Sequence, residues 1–498
     1  MSPSLGASAS RGAAVTLSGQ LVRVLIQLCG IVILARLLTP ADYGLVAMVT
    51  AIVGVAEIFR DFGLSAAAVQ AKTLSLHQRD NLFWTNTAIG LVLSLTVLAT
   101  SGLIAGLYDD PRLQSITAVL SVTFLLNGIS TQYRADLNRN LSFFRLSLAE
   151  IGGQAAGVAS GIVLAVLGFG YWALVAQQVV QAGLTVVLLV AFARWIPGWI
   201  HRGESIRSFI GFGASLFGSQ LLGYAARNAD SVVIGARFGP VDLGLYNRAF
   251  QLMMLPLLQI NAPSTRVALP VLSRLQDQRE RFAAFISFGQ VAMLTIIGVA
   301  FAYLGAQAGS VIAVALGDQW VDATPIFQIL LVAGFFQAAN YAAYWVFLAK
   351  GLARSNFLYA LATRPAMVVL IVIGSAWGVY GVAIAYTVSL ALSWPVALIW
   401  ISKVSDAPAG QLFRNGLRSL VVFGIAAGVS FASTVALPED AYVIRLAVGL
   451  AALVVSISLL ALVWPTFRRD LIALAGARRY FARTRGAGPD AATQGGES

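Results

Sequence analysis

The chain has 498 residues, 58% of them hydrophobic and 11% charged. Its mean hydropathy of +0.80 excludes a soluble fold with a polar surface. The net charge of +12 invites a nucleic-acid reading, which the placement of the basic residues argues against.

A membrane-spanning helix needs about 20 apolar residues, and about fourteen segments of the chain qualify. They are 13–37, 41–60, 82–107, 113–134, 146–168, 171–194, 211–236, 242–263, 284–305, 324–348, 356–376, 379–402, 416–436 and 441–465. Residues 1–12 form a polar leader. Segment 1 is too long for a signal-peptide core and has no small-residue cleavage site close behind it, so it reads as a retained helix. Basic residues collect in alternate loops: Lys72 and Arg79; Arg134, Arg139 and Arg145; Arg194, Arg202 and Arg207; Arg266, Arg274, Arg279 and Arg281; Lys350 and Arg354; Lys403, Arg414 and Arg418. The intervening loops are short and carry Asp109, Asp110, Asp318, Asp322, Glu439 and Asp440. This positive-inside pattern puts both termini in the cytoplasm and requires an even number of helices.

The chain repeats itself. Residues 35–45 read ARLLTPADYGL and residues 236–245 read ARFGPVDLGL, each joining one apolar segment to the next. Pro40, Asp42 and Gly44 recur as Pro240, Asp242 and Gly244; Ala35 and Arg36 recur as Ala236 and Arg237; Gln20 has a counterpart in Gln220. Two six-helix lobes of the same orientation follow, an N-lobe at 13–194 and a C-lobe at 211–402, related as a parallel repeat about the membrane normal. Residues 195–210 form the cytoplasmic hinge loop between them. Segments 13 and 14 (416–465) stand outside the repeat, with runs such as Leu446–Trp464 facing lipid. The tail, 466–498, is basic and amphipathic, then rich in Gly, Ala and Pro and disordered from Gly486.

Arg23, Arg227 and Arg364 fall near the middle of spanning segments, and Arg248 lies about two turns inside another. A charge at the bilayer centre costs about 2.5–3.5 kcal/mol even on the mildest scale, so these arginines face a polar interior. A cationic interior suits an anionic substrate. On segment 1, Gln20, Arg23 and Gln27 share a helical face; on segment 7, Gln220, Tyr224, Arg227 and Ser231 do the same. As repeat-mates, these stripes are expected to face each other. Segment 6 adds Gln177 and Gln181, segment 10 adds Gln337, Asn340, Tyr341 and Tyr344, and segment 11 sets Arg364 beside Pro365. The Gln and Asn residues have a second reading as interhelical glue, and Arg227 with Asp230 one as a structural ion pair. Asp230, Glu150 and Glu57 are the candidates to carry a coupling H+ or Na+. Gly153, Gly157 and Gly161 form a small-residue stripe that reads as packing.

Enzyme readings fare badly. His77 and His201 are the only histidines and lie far apart in the sequence, Cys29 is the only cysteine, and no phosphate-binding Gly-rich loop occurs. No metal site, cofactor or nucleic-acid partner is expected.

The combination of ARLLTPADYGL, FRDFGLSAAAVQ (59–70), LFWTN (82–86), PVLSRLQD (270–277) and GDQW (317–320) resembles the Wzx-like bacterial polysaccharide flippases of the multidrug/oligosaccharidyl-lipid/polysaccharide exporter superfamily. The resemblance covers roughly residues 12–400. It implies an all-α polytopic fold of two six-helix lobes in a V around a central cavity, as in drug-extruding relatives of the superfamily. It also implies movement of polyprenyl-diphosphate-linked oligosaccharide units across the bacterial inner membrane for exopolysaccharide, O-antigen or capsule synthesis. Membrane lipids, a polysaccharide polymerase and chain-length proteins are the implied partners. The two extra helices resemble those bordering a lipid groove in flippases of peptidoglycan precursor. Two alternatives stay open: a cation-coupled multidrug exporter of the same fold, and a membrane-embedded polysaccharide polymerase or ligase. Reporter fusions at Gly486 and Asp318 should give opposite topology signals; matching signals would overturn the helix count.

Overall fold

The computed structural model describes residues 3–61, 75–201 and 207–486, which are helical with no strand. The helices are α1 (Pro3–Leu37), α2 (Pro40–Asp61), α3 (Leu76–Ala99), α4 (Ser101–Tyr108), α5 (Arg112–Arg139), α6 (Phe143–Val166), α7 (Trp172–Ala193) and α8 (Arg207–Arg274). There follow α9 (Arg279–Ala306), α10 (Ala308–Ala315), α11 (Ala323–Ala349), α12 (Ala353–Gly374), α13 (Gly378–Val404), α14 (Ala409–Ala432), α15 (Tyr442–Val463) and α16 (Pro465–Gly486). Among the described residues, ten helical stretches are long and apolar enough to cross a membrane; one of them, Ala353–Val404, joins α12 to α13. The 59–70 motif and the tail from residue 487 fall almost wholly outside the described residues.

The chain forms two compact units. The first comprises Met1–Arg248, Ala315–Ala323 and Arg364–Ala385; the second comprises Ala249–Val314, Thr324–Thr363 and Tyr386–Ser498. The first unit therefore holds both copies of the Pro-x-Asp-x-Gly motif.

The motif's residues divide the labour. Thr39 caps α2: the Asp42 carboxylate accepts from the Thr39 backbone N–H (2.9 Å) and hydroxyl (2.7 Å), and Pro40 takes the first helical position, where no N–H is needed. In the second copy, Gly239 interrupts α8 at φ 83°, ψ −171°, a conformation that L side chains resist, and Pro240 restarts the helix. The glycines then allow backbone to meet backbone. A Cβ on Gly44 would lie 1.7 Å from the Pro240 carbonyl oxygen, and one on Gly244 would lie 1.9 Å from that of Pro40. Each glycine thus faces the other copy's proline, the reciprocity that a local two-fold imposes. The GDQW motif docks on the same end of α1. Trp320 is fully buried and its Nε1 donates to the Ala35 carbonyl at 2.8 Å, while Gln319 Nε2 donates to that of Leu38 at 2.9 Å.

Elsewhere in this unit α6 packs on α7 through the Gly153–Gly157–Gly161 stripe. Cβ atoms there would press on Thr185, Gln181 and Gln177, so the packing reading of the stripe holds. In the second unit, Gln307 Nε2 donates to the Ser430 carbonyl of α14 (3.0 Å), and the Ser430 hydroxyl donates to the Gly449 carbonyl of α15 (2.8 Å). Arg418 of α14 pairs with Asp470 of α16. The opposite face of α15 exposes Val443, Val454, Leu459 and Leu462, as a lipid-facing helix requires.

Overpacking at a backbone contact costs about 1–3 kcal/mol. Gly44→Ala and Gly244→Ala should each lower the melting temperature in detergent by a similar amount. Gly428→Ala, whose Cβ would meet open space, should leave it unchanged or raise it.

Candidate functional site

The first polar cluster joins three helices. The two guanidiniums of Arg23 (α1) and Arg134 (α5) both pair with the Glu150 carboxylate of α6, the second at 2.7 Å. One turn further along α6, Gln154 Nε2 donates to the Arg23 backbone carbonyl at 3.0 Å. The i, i+4 spacing of Glu150 and Gln154 puts both on the face that meets α1. Arg23, which has no acidic residue in its own helix, finds one in another, and Glu150 sits in an ion-pair network. The cluster stays partly open, with the Arg23 and Arg134 side chains 34% and 39% exposed. The sequence placed Arg134 in a basic loop. Its role emerges only because α5 continues to Arg139 and carries it alongside α6.

A second cluster lies at Gly223 of α8. A Cβ there would stand 3.2 Å from Arg227 Nη1 and 3.8 Å from Arg364 Nη1, so two guanidiniums from α8 and α12 converge on one glycine. Arg227 is exposed and forms no ion pair among the described residues. The Arg227–Asp230 ion pair considered above does not form. Asp230, only 2% exposed, instead accepts from the Tyr246 hydroxyl (2.7 Å) and the Ser231 backbone N–H (2.7 Å).

The other candidates scatter. Arg248 is 6% exposed and lies 3.6 Å above the Tyr43 ring, with Trp320 beyond it, so its charge faces aromatic rings. The Tyr224 hydroxyl donates to the Thr50 carbonyl of α2 at 3.0 Å, the interhelical role of a membrane tyrosine. Gln20 and Gln27 are exposed. In the second unit, Asn340 Nδ2 donates to the Tyr359 hydroxyl (3.1 Å), and the exposed Tyr344 ring stands 5.4 Å from that of Tyr341. The side chains of Gln220 and Glu57 lie outside the described residues.

The histidines correct the sequence reading. His77 and His201 come together with ring centroids 3.8 Å apart, and Asp80 lies beside them. The segment after α7 folds back on the start of α3, so sequence separation misled. The i, i+3 spacing of His77 and Asp80 was the signal available.

The family pattern described as "Polysaccharide biosynthesis protein" matches residues 33–325. The chain belongs to this family. It is 28% identical to the teichuronic acid biosynthesis protein TuaB of Bacillus subtilis (strain 168), over 61% of this chain and 63% of TuaB. It is 24% identical to the lipopolysaccharide biosynthesis protein WzxC of Escherichia coli (strain K12), over 71% of this chain and 73% of WzxC. The structure is similar to that of the lipid II flippase MurJ in an inward closed conformation, with a TM-score of 0.71 and 14% identity, covering 92% of this chain and 99% of MurJ. At that identity the likeness establishes the fold alone, an all-helical polytopic one.

Removing one partner of an ion-pair network strands the others. Glu150→Gln should lower the amount of monodisperse protein recovered from membranes, and adding Arg23→Gln should restore part of it. Fluorescence-detected size exclusion measures both.

Proposed function

We propose that the protein is a flippase that moves polyprenyl-diphosphate-linked oligosaccharide units across the bacterial inner membrane by alternating access. The observation that carries this reading is the convergence of Arg227 and Arg364 at Gly223. Two guanidiniums that converge on one point can direct their N–H donors at a single anion. A diphosphate suits the pair because each planar fork can bond two phosphate oxygens at once. Names of relatives support the same class, since TuaB is a teichuronic acid biosynthesis protein and WzxC a lipopolysaccharide biosynthesis protein, and MurJ is a lipid II flippase. On this reading the protein transfers its substrate without making or breaking bonds in it, both termini are cytoplasmic, and a polymerase and chain-length proteins act on what it delivers.

Asp230 is the best placed of the coupling candidates. It is buried in α8 between the Arg227 turn and Tyr246, with its hydrogen bonds supplied by neutral donors rather than by a cation. Glu150 is held by two arginines, which fits a structural role better than ion exchange. The multidrug-exporter alternative needs a site rich in acceptors for cations, and guanidiniums offer donors only.

Arg227→Gln and Arg364→Gln should each reduce export of lipid-linked oligosaccharide at least about tenfold, the loss of one charge-assisted bond. Arg→Lys at either position should fall between, since charge is kept and the bidentate fork is lost. Export in a flippase-deletion strain, normalised to protein in the membrane, measures this. Full export by both Gln variants would overturn the reading.

A further inference from the structure

We propose that His77, Asp80 and His201 form a binding site for a divalent transition metal of the zinc class, which clamps the segment following α7 onto the start of α3. The inference is independent of the transport reading. One ligand atom from each residue can be chosen so that all lie within 4.8 Å of one another. Atoms bound tetrahedrally to one ion at about 2.0–2.2 Å stand about 3.3–3.6 Å apart. The exposed His77 ring is free to turn inward and draw the three ligand atoms together on an ion. Two imidazoles and a carboxylate are the donor set that zinc takes in three-residue sites with a fourth position open.

The surroundings build the site. Ser75 and Gln78 form a reciprocal cap (Gln78 N–H to Ser75 Oγ, 3.0 Å; Ser75 N–H to Gln78 Oε1, 3.2 Å) that fixes the first turn of α3 and with it His77. Asn81 exchanges two hydrogen bonds with the backbone of His201, donating to its carbonyl and accepting from its N–H, each at 2.8 Å. Trp84 Nε1 donates to the Gly198 carbonyl at 2.8 Å. Residues 77, 80, 81 and 84 share one face of α3, so a single helical stripe both presents two ligands and holds the third in place.

Two observations point to a ligand. Asp80 is only 7% exposed and its Oδ1 is buried without a hydrogen-bond partner. A lone buried carboxylate oxygen is costly, and a cation removes that cost. In addition, Gly198 leaves space beside the other oxygen: a Cβ there would fall 2.7 Å from Asp80 Oδ2 and 4.0 Å from His201 Nε2. The neighbouring cation does not compete for the carboxylate. Arg79 is turned away, paired with Asp136 at 3.0 Å and stacked over Trp195 at 4.1 Å.

The test uses full-length protein in detergent, freed of any affinity tag and stripped with a chelator. Titration with Zn²⁺ by calorimetry should give one site per chain, and Co²⁺ should develop the visible ligand-field bands of imidazole–carboxylate coordination. His77→Ala and Asp80→Asn should each weaken Zn²⁺ binding at least about tenfold, since even outer-shell partners of metal ligands carry such losses. Zn²⁺ should raise the melting temperature of the wild type and not that of His77→Ala. His77 is exposed, so this variant keeps its fold and the comparison stands even if Asp80→Asn does not. Zn²⁺ affinity and Co²⁺ spectra unchanged in His77→Ala, or no saturable site in the wild type, would overturn the proposal.

Discussion

A charged or strongly polar group within a bilayer must find its partner inside the protein, because lipid offers none. Much of the first unit can be understood as the working out of that constraint. Glu150 draws Arg23 and Arg134 together and so ties α1 and α5 to α6. Arg248 spreads its charge over the faces of Tyr43 and Trp320. Asp230 takes its hydrogen bonds from Tyr246 and Ser231. Arg227 and Arg364, from α8 and α12, converge on Gly223.

The Pro-x-Asp-x-Gly repeat shows one short sequence serving two levels of structure. Its proline and aspartate act locally, starting and capping a helix. Its glycine acts at a distance, letting each copy's backbone touch the other's proline. Side chains of Trp320 and Gln319 then bond the carbonyls at the end of α1. Two motifs that carry the family resemblance, ARLLTPADYGL and GDQW, therefore meet in one place with the second copy of the loop.

The segment after α7 is anchored in an equally specific way. Trp195 packs against Phe83 and Tyr133 with centroids 5.9 and 5.2 Å away, Arg79 stacks on its other side, and Asn81 and Trp84 hold the backbone beyond it. Ile196, Trp199 and Ile200 remain exposed, a composition that suits the headgroup region where amphipathic aromatics gather.

Hydropathy alone determined the membrane class and the all-helical fold, though not the number of spans, because a spanning helix must satisfy every backbone group within itself. The repeat was legible for a similar reason: a turn that needs Pro, Asp and Gly at fixed spacing keeps those letters wherever it is used. Partnerships were not legible. Nothing near Arg23 in the chain announces Glu150, nothing near Asp230 announces Tyr246 in place of Arg227, and His77 gives no hint of His201. Such pairings depend on which faces the helices turn toward one another and on how connecting segments fold back. Those are set by packing summed over the whole unit, and only the tertiary structure decided them.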